Sequence, residues 1–226
     1  RGDAGTTVKI GIVRGNEKKE FSVTRAKIEN PSVELSKKDG VATLSIYRFD
    51  SETGVLAKKY AEEIKNEGIL KVILDLRGNG GGYVQAAKTV ASLWLEKNAL
   101  IVSEKTGSKT VEEIRATGDN PLKGVKTVIL LDGSSASASE IVAGALKEHK
   151  AAQIVGEKSY GKGSVQTTVD MPNGALLKVT IAKWFTPSGK NISNNGISPD
   201  IKVSTPKGES YLLNDIQKNK ALEILK

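Results

Sequence analysis

The chain has 226 residues, no cysteine and one histidine, and its formal net charge is +8. This length allows one well-cored domain with a small appendage, and the residue counts exclude disulfides, a cysteine nucleophile and a zinc site built from several histidines. Aromatic residues make up only 4% of the chain, so we expect a solvated basic surface rather than a nucleic-acid-binding one. No apolar run is long enough to span a membrane.

The N-terminal part is predicted to be a β-hairpin followed by a linker. Residues 6–25 alternate apolar and polar side chains on both sides of a charged turn, which is typical of two paired strands. A hairpin of this size is too small to fold alone, so we interpret it as the end of a larger unit. Residues 32–38 are polar and are interpreted as a linker.

The middle of the chain alternates predicted strands and helices. Apolar side chains recur there either at helical spacing or in short buried runs. This alternation predicts an α/β domain with parallel crossovers. The predicted strands are residues 41–47, 69–76, 99–102, 127–131 and 152–155, the predicted helices are residues 53–66, 83–95 and 137–148, and a polar loop is predicted over residues 103–120.

The last third of the chain is predicted to be β-rich and to end in a helix. Residues 165–169 and 175–185 flank an Asn-Gly pair, Asn173 and Gly174, which is the strongest short signal for a hairpin turn. Residues 211–225 have the spacing of an amphipathic helix.

Three loops follow predicted buried strands, which is where an α/β domain presents its functional residues. Residues 78–82 (GNGGG) expose backbone N–H groups that could hold a phosphate, a carboxylate or a developing oxyanion. Residues 133–140 (GSSASASE) contain four serines at a helix start, where one would suffice as an N-cap and another could be a nucleophile. Residues 161–163 (GKG) place a lysine between two glycines.

The GKG loop also resembles a nucleotide-binding P-loop. Gly163, however, stands where a P-loop has the Ser or Thr that binds magnesium. Residues 164–169 are β-branched and alternating, which predicts a strand, whereas a P-loop opens a helix. Nucleotide hydrolysis is therefore disfavoured.

A serine nucleophile needs a group that accepts its proton. His149 lies 12 positions after Ser137 on one predicted helix, which corresponds to about 18 Å. Lys162 is then the candidate base. Because a lysine accepts a proton only when neutral, and burial favours the neutral form, we expect Lys162 to be buried.

These segments resemble the carboxyl-terminal processing proteases, also called tail-specific proteases. The sequence SASASEI around Ser137 matches the family's nucleophile motif, and the 25 positions between Ser137 and Lys162 match its spacing to the lysine. Gln166 matches a family glutamine that helps to orient this lysine. Further similar segments are residues 75–82 (DLRGNGGG), 186–189 (TPSG) and 196–200 (GISPD).

The resemblance implies an α/β core of the crotonase-like, ClpP-related type with a β-rich C-terminal part. It implies a serine endopeptidase that cleaves proteins near their C-termini, with Ser137 as nucleophile, Lys162 as base and Gln166 as the residue that positions Lys162. The backbone N–H groups of Gly82 and Ala138 would form the oxyanion hole. No cofactor, metal or nucleotide is implied.

The resemblance also implies a domain organisation and a location. Residues 1–26 would be the remnant of a PDZ domain, residues 27–204 the protease core and residues 205–226 a C-terminal helical segment. The expected partners are proteins or peptides with accessible C-termini, not nucleic acid, and a homo-oligomer remains open. The expected location is extracytoplasmic, in the cell envelope or periplasm. Whether the protein is anchored to a membrane through a segment absent from this chain is left open.

Two other classes of function remain as alternatives. The same fold could serve as a non-catalytic peptide- or ligand-binding module, although Ser137, Lys162 and Gln166 are all present. An acyl-CoA enzyme on a related fold would also use a glycine-rich oxyanion loop, but it would not need the paired serine and lysine.

Overall fold

The structure is a computed structural model that describes residues 2–27, 30–172, 174–204 and 214–226. The chain divides into two compact units, Arg1–Pro31 and Ser32–Lys226. In the first unit, strands β1 (Thr7–Arg14) and β2 (Glu17–Thr24) pair antiparallel. This confirms the predicted N-terminal hairpin.

The second unit contains the remaining described strands and helices. Its strands are β3 (Val33–Lys38), β4 (Val41–Ile46), β5 (Lys71–Asp75), β6 (Leu100–Thr106), β7 (Lys109–Arg115), β8 (Lys126–Leu131), β9 (Gln153–Gly156), β10 (Ser164–Asp170), β11 (Leu176–Phe185) and β12 (Ile201–Lys202). Its helices are α1 (Thr53–Asn66), α2 (Val84–Ser92), α3 (Ala138–Glu148) and α4 (Ile216–Leu225).

Two sheets organise this unit. The larger has the order β12-β9-β8-β5-β4-β3, and its neighbouring strands are parallel except for the antiparallel pair β3 and β4. The smaller sheet is antiparallel, with the order β10-β11-β6-β7. The parallel strands joined through helices confirm the predicted α/β class.

Helices cover both faces of the larger sheet. Because successive side chains of a strand point to opposite faces, β8 supplies Ile129 and Leu131 to one apolar core and Val128 and Leu130 to another. Helices α1, α2 and α3 contribute to the first core, and α4 contributes to the second. The central strands are therefore buried on both faces, which explains why their sequences are continuous apolar runs.

The predicted linker at residues 32–38 is wrong, because this segment is strand β3. It pairs antiparallel with β4 at the edge of the larger sheet, through a turn in which Asp39 and Gly40 both have positive φ. Val33 is fully buried, while most of the other side chains of β3 face solvent. An edge strand needs few apolar residues, so its sequence reads as polar.

The predicted polar loop at residues 103–120 is also wrong over most of its length. Strand β6 continues to Thr106 and forms a hairpin with β7 around Gly107, which has φ +60. Nearly every residue of β7 is exposed, so neither alternation nor an apolar run indicates a strand there.

The remaining predicted elements fall on observed ones. Strands β10 and β11 confirm the predicted hairpin, and its turn residue Asn173 lies outside the described residues. The predicted C-terminal helix is observed as α4, and residues 211–213 of that prediction lie outside the described part. None of the helices described is both long enough and apolar enough to cross a bilayer.

Substitution of Gly156 should destabilise the second unit. Gly156 ends β9 with φ +128, and a Cβ atom there would lie 2.1 Å from the carbonyl oxygen of Leu131. We expect Gly156→Ala to lower the free energy of unfolding by about 2 kcal/mol or more, measured by urea denaturation. Gly133→Ala is the control, because its Cβ would meet nothing nearer than 3.9 Å; equal midpoints for the two variants would contradict this packing.

Candidate active site

Ser137 is the N-cap residue of α3 and is half-buried. Its φ of +55 lies in the left-handed region, which residues other than glycine seldom adopt and which is concentrated at functional sites. The backbone N–H of Ser137 donates a hydrogen bond of 2.8 Å to Oε2 of Glu140. The serine predicted as nucleophile is therefore held in an unusual backbone conformation at a helix start.

The carboxylate of Glu140 joins two of the predicted loops. Its Oε2 accepts hydrogen bonds from the backbone N–H groups of Ser137 at 2.8 Å and Lys162 at 2.9 Å. Its Oε1 accepts from the N–H of Gly161 and the hydroxyl of Ser159, both at 2.6 Å. Glu140 is 0% exposed, and all four partners are donors, which matches the acceptor-only character of an ionised carboxylate.

Glu140 is a functional residue that was not predicted from the sequence. A signal for part of its role was present, because Ser137-x-x-Glu140 at a helix start is the pattern of a capping box. No local pattern indicates the second part, which is the link from Glu140 to residues 159–162.

The two glycines beside Lys162 are required by close backbone packing. A Cβ at Gly163 would lie 2.2 Å from the backbone nitrogen of Ser193, and one at Gly161 would lie 3.1 Å from the carbonyl carbon of Asn194. Gly161 has φ +90, and its carbonyl accepts the N–H of Asn194 at 2.9 Å. The lysine loop is thus held between Glu140 on one side and the backbone of residues 193–194 on the other.

The predicted burial of Lys162 is wrong, because its side chain is exposed. The contacts that hold this loop are made by its backbone, which leaves the side chain on an open surface. Gln166 is also exposed, on the edge strand β10 next to a β-bulge. In the part of the chain that is described, neither side chain has a hydrogen-bond partner, so the structure does not join Gln166 to Lys162.

The glycine loop is attached to the serine segment through Asn79. This side chain is fully buried, donates to the carbonyl of Ile46 at 2.7 Å and accepts the N–H of Gly81 at 2.8 Å. The backbone carbonyl of Asn79 accepts the N–H of Ala136 at 2.9 Å and the hydroxyl of Ser139 at 3.0 Å. The two loops are therefore fixed relative to each other by direct hydrogen bonds.

Gly81 brings the backbone of the glycine loop against the serine, and Gly82 brings it against Phe49. A Cβ at Gly81 would lie 2.7 Å from the Cβ of Ser137, and one at Gly82, which has φ +142, would lie 2.0 Å from the carbonyl oxygen of Phe49. Among the described residues, the backbone N–H groups of Gly82 and Ala138 donate to no protein acceptor. These are the two donors predicted for an oxyanion hole.

Arg77 stands directly before the glycine loop, and its guanidinium pairs with two carboxylates. It donates to Asp75 at 2.7 and 3.0 Å and to both carboxylate oxygens of Asp215 at 2.8 Å. Burial disfavours the charged forms of Arg77 and Asp215, but the hydrogen bonds between the guanidinium and the carboxylates favour them more strongly. The pKa of Arg77 is therefore raised and the pKa of Asp215 is lowered. In the sequence, Asp75 and Arg77 are recognisable only as part of the DLRGNGGG motif, and no pattern indicates a role for Asp215.

His149 lies at the opposite end of α3 from Ser137. It is the exposed C-cap residue of that helix, and its Nε2 lies 2.7 Å from the carbonyl oxygen of Leu100. This position agrees with the helical separation used above to reject His149 as the base for Ser137.

Comparison with known proteins identifies sequence relatives in staphylococci. The chain is 41% identical over 212 residues to a probable CtpA-like serine protease of Staphylococcus haemolyticus, with 93% of this chain and 42% of that protein covered. It is 40% identical over 222 residues to the corresponding protein of Staphylococcus epidermidis, with coverages of 97% and 45%. The chain thus spans less than half the length of these relatives.

Solved structures with the same fold include two proteases. The photosystem II D1 C-terminal processing protease matches with a TM-score of 0.77 and 27% identity, covering 100% of this chain and 63% of that one. A putative S41 protease from Bacteroides fragilis matches with a TM-score of 0.71 and 15% identity, covering 96% and 65% of the two chains. The first match supports the family resemblance found in the sequence, and the second, at 15% identity, supports the fold alone.

The model of peptidase family S41 matches residues 40–203, which include the glycine loop, the serine segment and the lysine loop. Because this match covers most of the second unit and the sequence relatives cover nearly the whole chain, the chain belongs to peptidase family S41.

Proposed function

We propose that the chain is the catalytic core of a serine endopeptidase that cleaves protein substrates near their C-termini. Ser137 is the nucleophile and Lys162 is its general base. The observation that carries this proposal is the contact of Glu140 Oε2 with the backbone N–H groups of both residues. Because Glu140 Oε2 accepts both hydrogen bonds, the backbone nitrogens of Ser137 and Lys162 can lie no further apart than the sum of the two hydrogen-bond lengths.

Peptide cleavage would proceed through an acyl-enzyme. Oγ of Ser137 attacks the scissile carbonyl carbon while its proton passes to the neutral amine of Lys162. The tetrahedral oxyanion accepts hydrogen bonds from the N–H groups of Gly82 and Ala138. When the C–N bond breaks, Lys162 returns the proton to the leaving amine, and a water molecule activated by Lys162 then hydrolyses the ester.

A bound peptide would complete the environment of Lys162. The side chain is exposed in the free chain, and a substrate lying over Ser137 would exclude water from it. Exclusion of water favours the neutral amine, which is the form that acts as a base. Gln166, four positions later on β10, would orient the amine once the lysine turns toward Ser137.

The finer features of the family resemblance belong to the same proposal. They are a crotonase-like core over residues 27–204, a PDZ remnant over residues 1–26, a C-terminal helical segment over residues 205–226, and an extracytoplasmic location. Names of similar proteins support the reaction class, since one is a D1 C-terminal processing protease and others are CtpA-like serine proteases. Partners would be proteins with accessible C-termini, and a homo-oligomer remains open.

Ser137→Ala should abolish peptide cleavage and leave the fold intact. Loss of a serine nucleophile costs at least about a thousandfold in kcat, which a fluorogenic peptide assay measures, with circular dichroism to check folding. Ser134→Ala is the matched control, because Ser134 is exposed and lies in the same segment. A Ser137→Ala chain that cleaves at the parental rate would overturn the assignment, and failure of a fluorophosphonate to label the parent would favour a non-catalytic binding module.

Lys162→Arg and Lys162→Met should both be inactive. A guanidinium stays protonated at all working pH values and a thioether sulfur is too weakly basic to accept a proton, so neither can act as a base. Lys158→Arg, at an exposed position in the same segment, should keep parental activity, whereas an active Lys162→Arg chain would disprove the lysine mechanism.

His149→Ala should leave kcat within about threefold of the parent, because His149 and Ser137 are at opposite ends of α3. The same peptide assay checks this expectation. A hundredfold loss of kcat in a folded variant would restore a histidine mechanism.

A further inference from the structure

Helix α4 reaches the candidate oxyanion loop through one ion pair. Asp215, the N-cap residue of α4, pairs both of its carboxylate oxygens with the two terminal nitrogens of Arg77, each at 2.8 Å. The two residues are 138 positions apart in the sequence, and the Arg77 side chain is only 4% exposed. A paired fork of this kind fixes the orientation of the guanidinium plane as well as its position.

Asp215 is itself held rigidly. Its Oδ1 accepts the backbone N–H of Lys218 at 2.9 Å, which is the N-cap bond of α4. The helix is anchored on the larger sheet because Ala221 and Leu225 are buried against the side chains of β5, β8 and β9. Gln217 adds a second contact from α4 to Arg77 at 3.2 Å.

Arg77 in turn bears on the glycine loop. Its backbone N–H and its Nε both donate to Oδ1 of Asp75, at 3.1 and 3.0 Å, so the guanidinium is tied to the backbone at the end of β5. Gly78 follows immediately, and its N–H donates to the carboxylate of Asp132 at 3.1 Å. Asn79 is the one residue of this loop with a side chain, so the path of its four glycines depends on Asn79 and on the groups around the loop.

We propose that Asp215 is a positioning residue for the oxyanion loop, and that α4 acts through Arg77 to hold Gly82 at the distance from Ser137 that the reaction needs. This inference rests on the proposed peptidase function. It assigns to the C-terminal helix a role in transition-state stabilisation in addition to its role in covering the sheet. Displacement of an oxyanion donor reduces kcat, whereas it has little effect on the binding of a ground-state peptide.

The test uses Asp215→Asn in the full chain. Asparagine keeps the shape of the side chain and its ability to cap α4, but it replaces one acceptor of the guanidinium with a donor and removes the charge. We expect kcat for a fluorogenic peptide to fall about tenfold to a hundredfold, with KM within about threefold. Asp200→Asn is the matched control: Asp200 pairs with Lys147 at 2.8 Å and accepts the N–H of Ile154, but this pair does not reach the glycine loop, so kcat should stay within twofold.

Labelling with a fluorophosphonate separates positioning from loss of folded protein. If Asp215 positions the oxyanion loop, Ser137 of the Asp215→Asn chain will be labelled completely at long times but with a reduced rate constant. The rate constant falls because attack on phosphorus also needs the oxyanion donors. A purely structural role predicts a reduced final stoichiometry and a parental kcat per labelled site, and this result would overturn the inference. A folded Asp215→Asn chain with parental kcat would also overturn it.

Two further measurements cover an unfolded variant and an inactive parent. If Asp215→Asn is unfolded at the assay temperature, Asp215→Glu replaces it, because glutamate retains the charge and displaces the carboxylate by one methylene. The same fall in kcat per labelled site is expected for this variant. If the parent neither cleaves peptide nor labels at Ser137, the proposed peptidase function fails and the role of Asp215 fails with it. Parental labelling at Ser137 together with a parental rate in the Asp215 variants would overturn the role of Asp215 alone.

Discussion

A buried carboxylate is costly unless its oxygens are fully hydrogen-bonded, and Glu140 meets this condition with four donors from two loops. The energy of burying Glu140 therefore depends on both loops being in place. The positive-φ conformation of Ser137 and the path of residues 159–162 are stabilised by the same group. Neither loop could move away without leaving an unsatisfied charge inside the protein, so Glu140 makes their relative position a condition of folding.

The topology of the larger sheet explains why these loops meet. Strands β5, β8 and β9 are consecutive parallel neighbours, and the glycine loop, the serine segment and the lysine loop follow them in that order. The carboxyl ends of parallel neighbours lie at one edge of the sheet, where α/β domains place their sites. The serine segment lies between the other two loops and is hydrogen-bonded to both, to the glycine loop through Asn79 and to the lysine loop through Glu140.

Sequence reasoning succeeded where local chemistry decides the structure. The bounds of α1 were predicted correctly because its apolar spacing is regular over the whole of Thr53–Asn66, and the three loops were found because each follows a buried apolar run. Strands β3 and β7 were missed because edge strands lack that run. The roles of Glu140 and Asp215 depend on partners up to 138 positions away, which no local pattern contains. The exposure of Lys162 was not predicted because it depends on how the backbone of the lysine loop is held.

The packing of Gly161 against the backbone of Asn194 has a consequence for biosynthesis. A ribosome releases the glycine loop and Ser137 well before residues 193–194, and contacts between distant segments form only after the intervening chain is available. Until residues 193–194 are available, the lysine loop can be held by Glu140 but not by the backbone of residues 193–194. The lysine loop can therefore reach its position beside the serine segment only after most of the second unit has been translated.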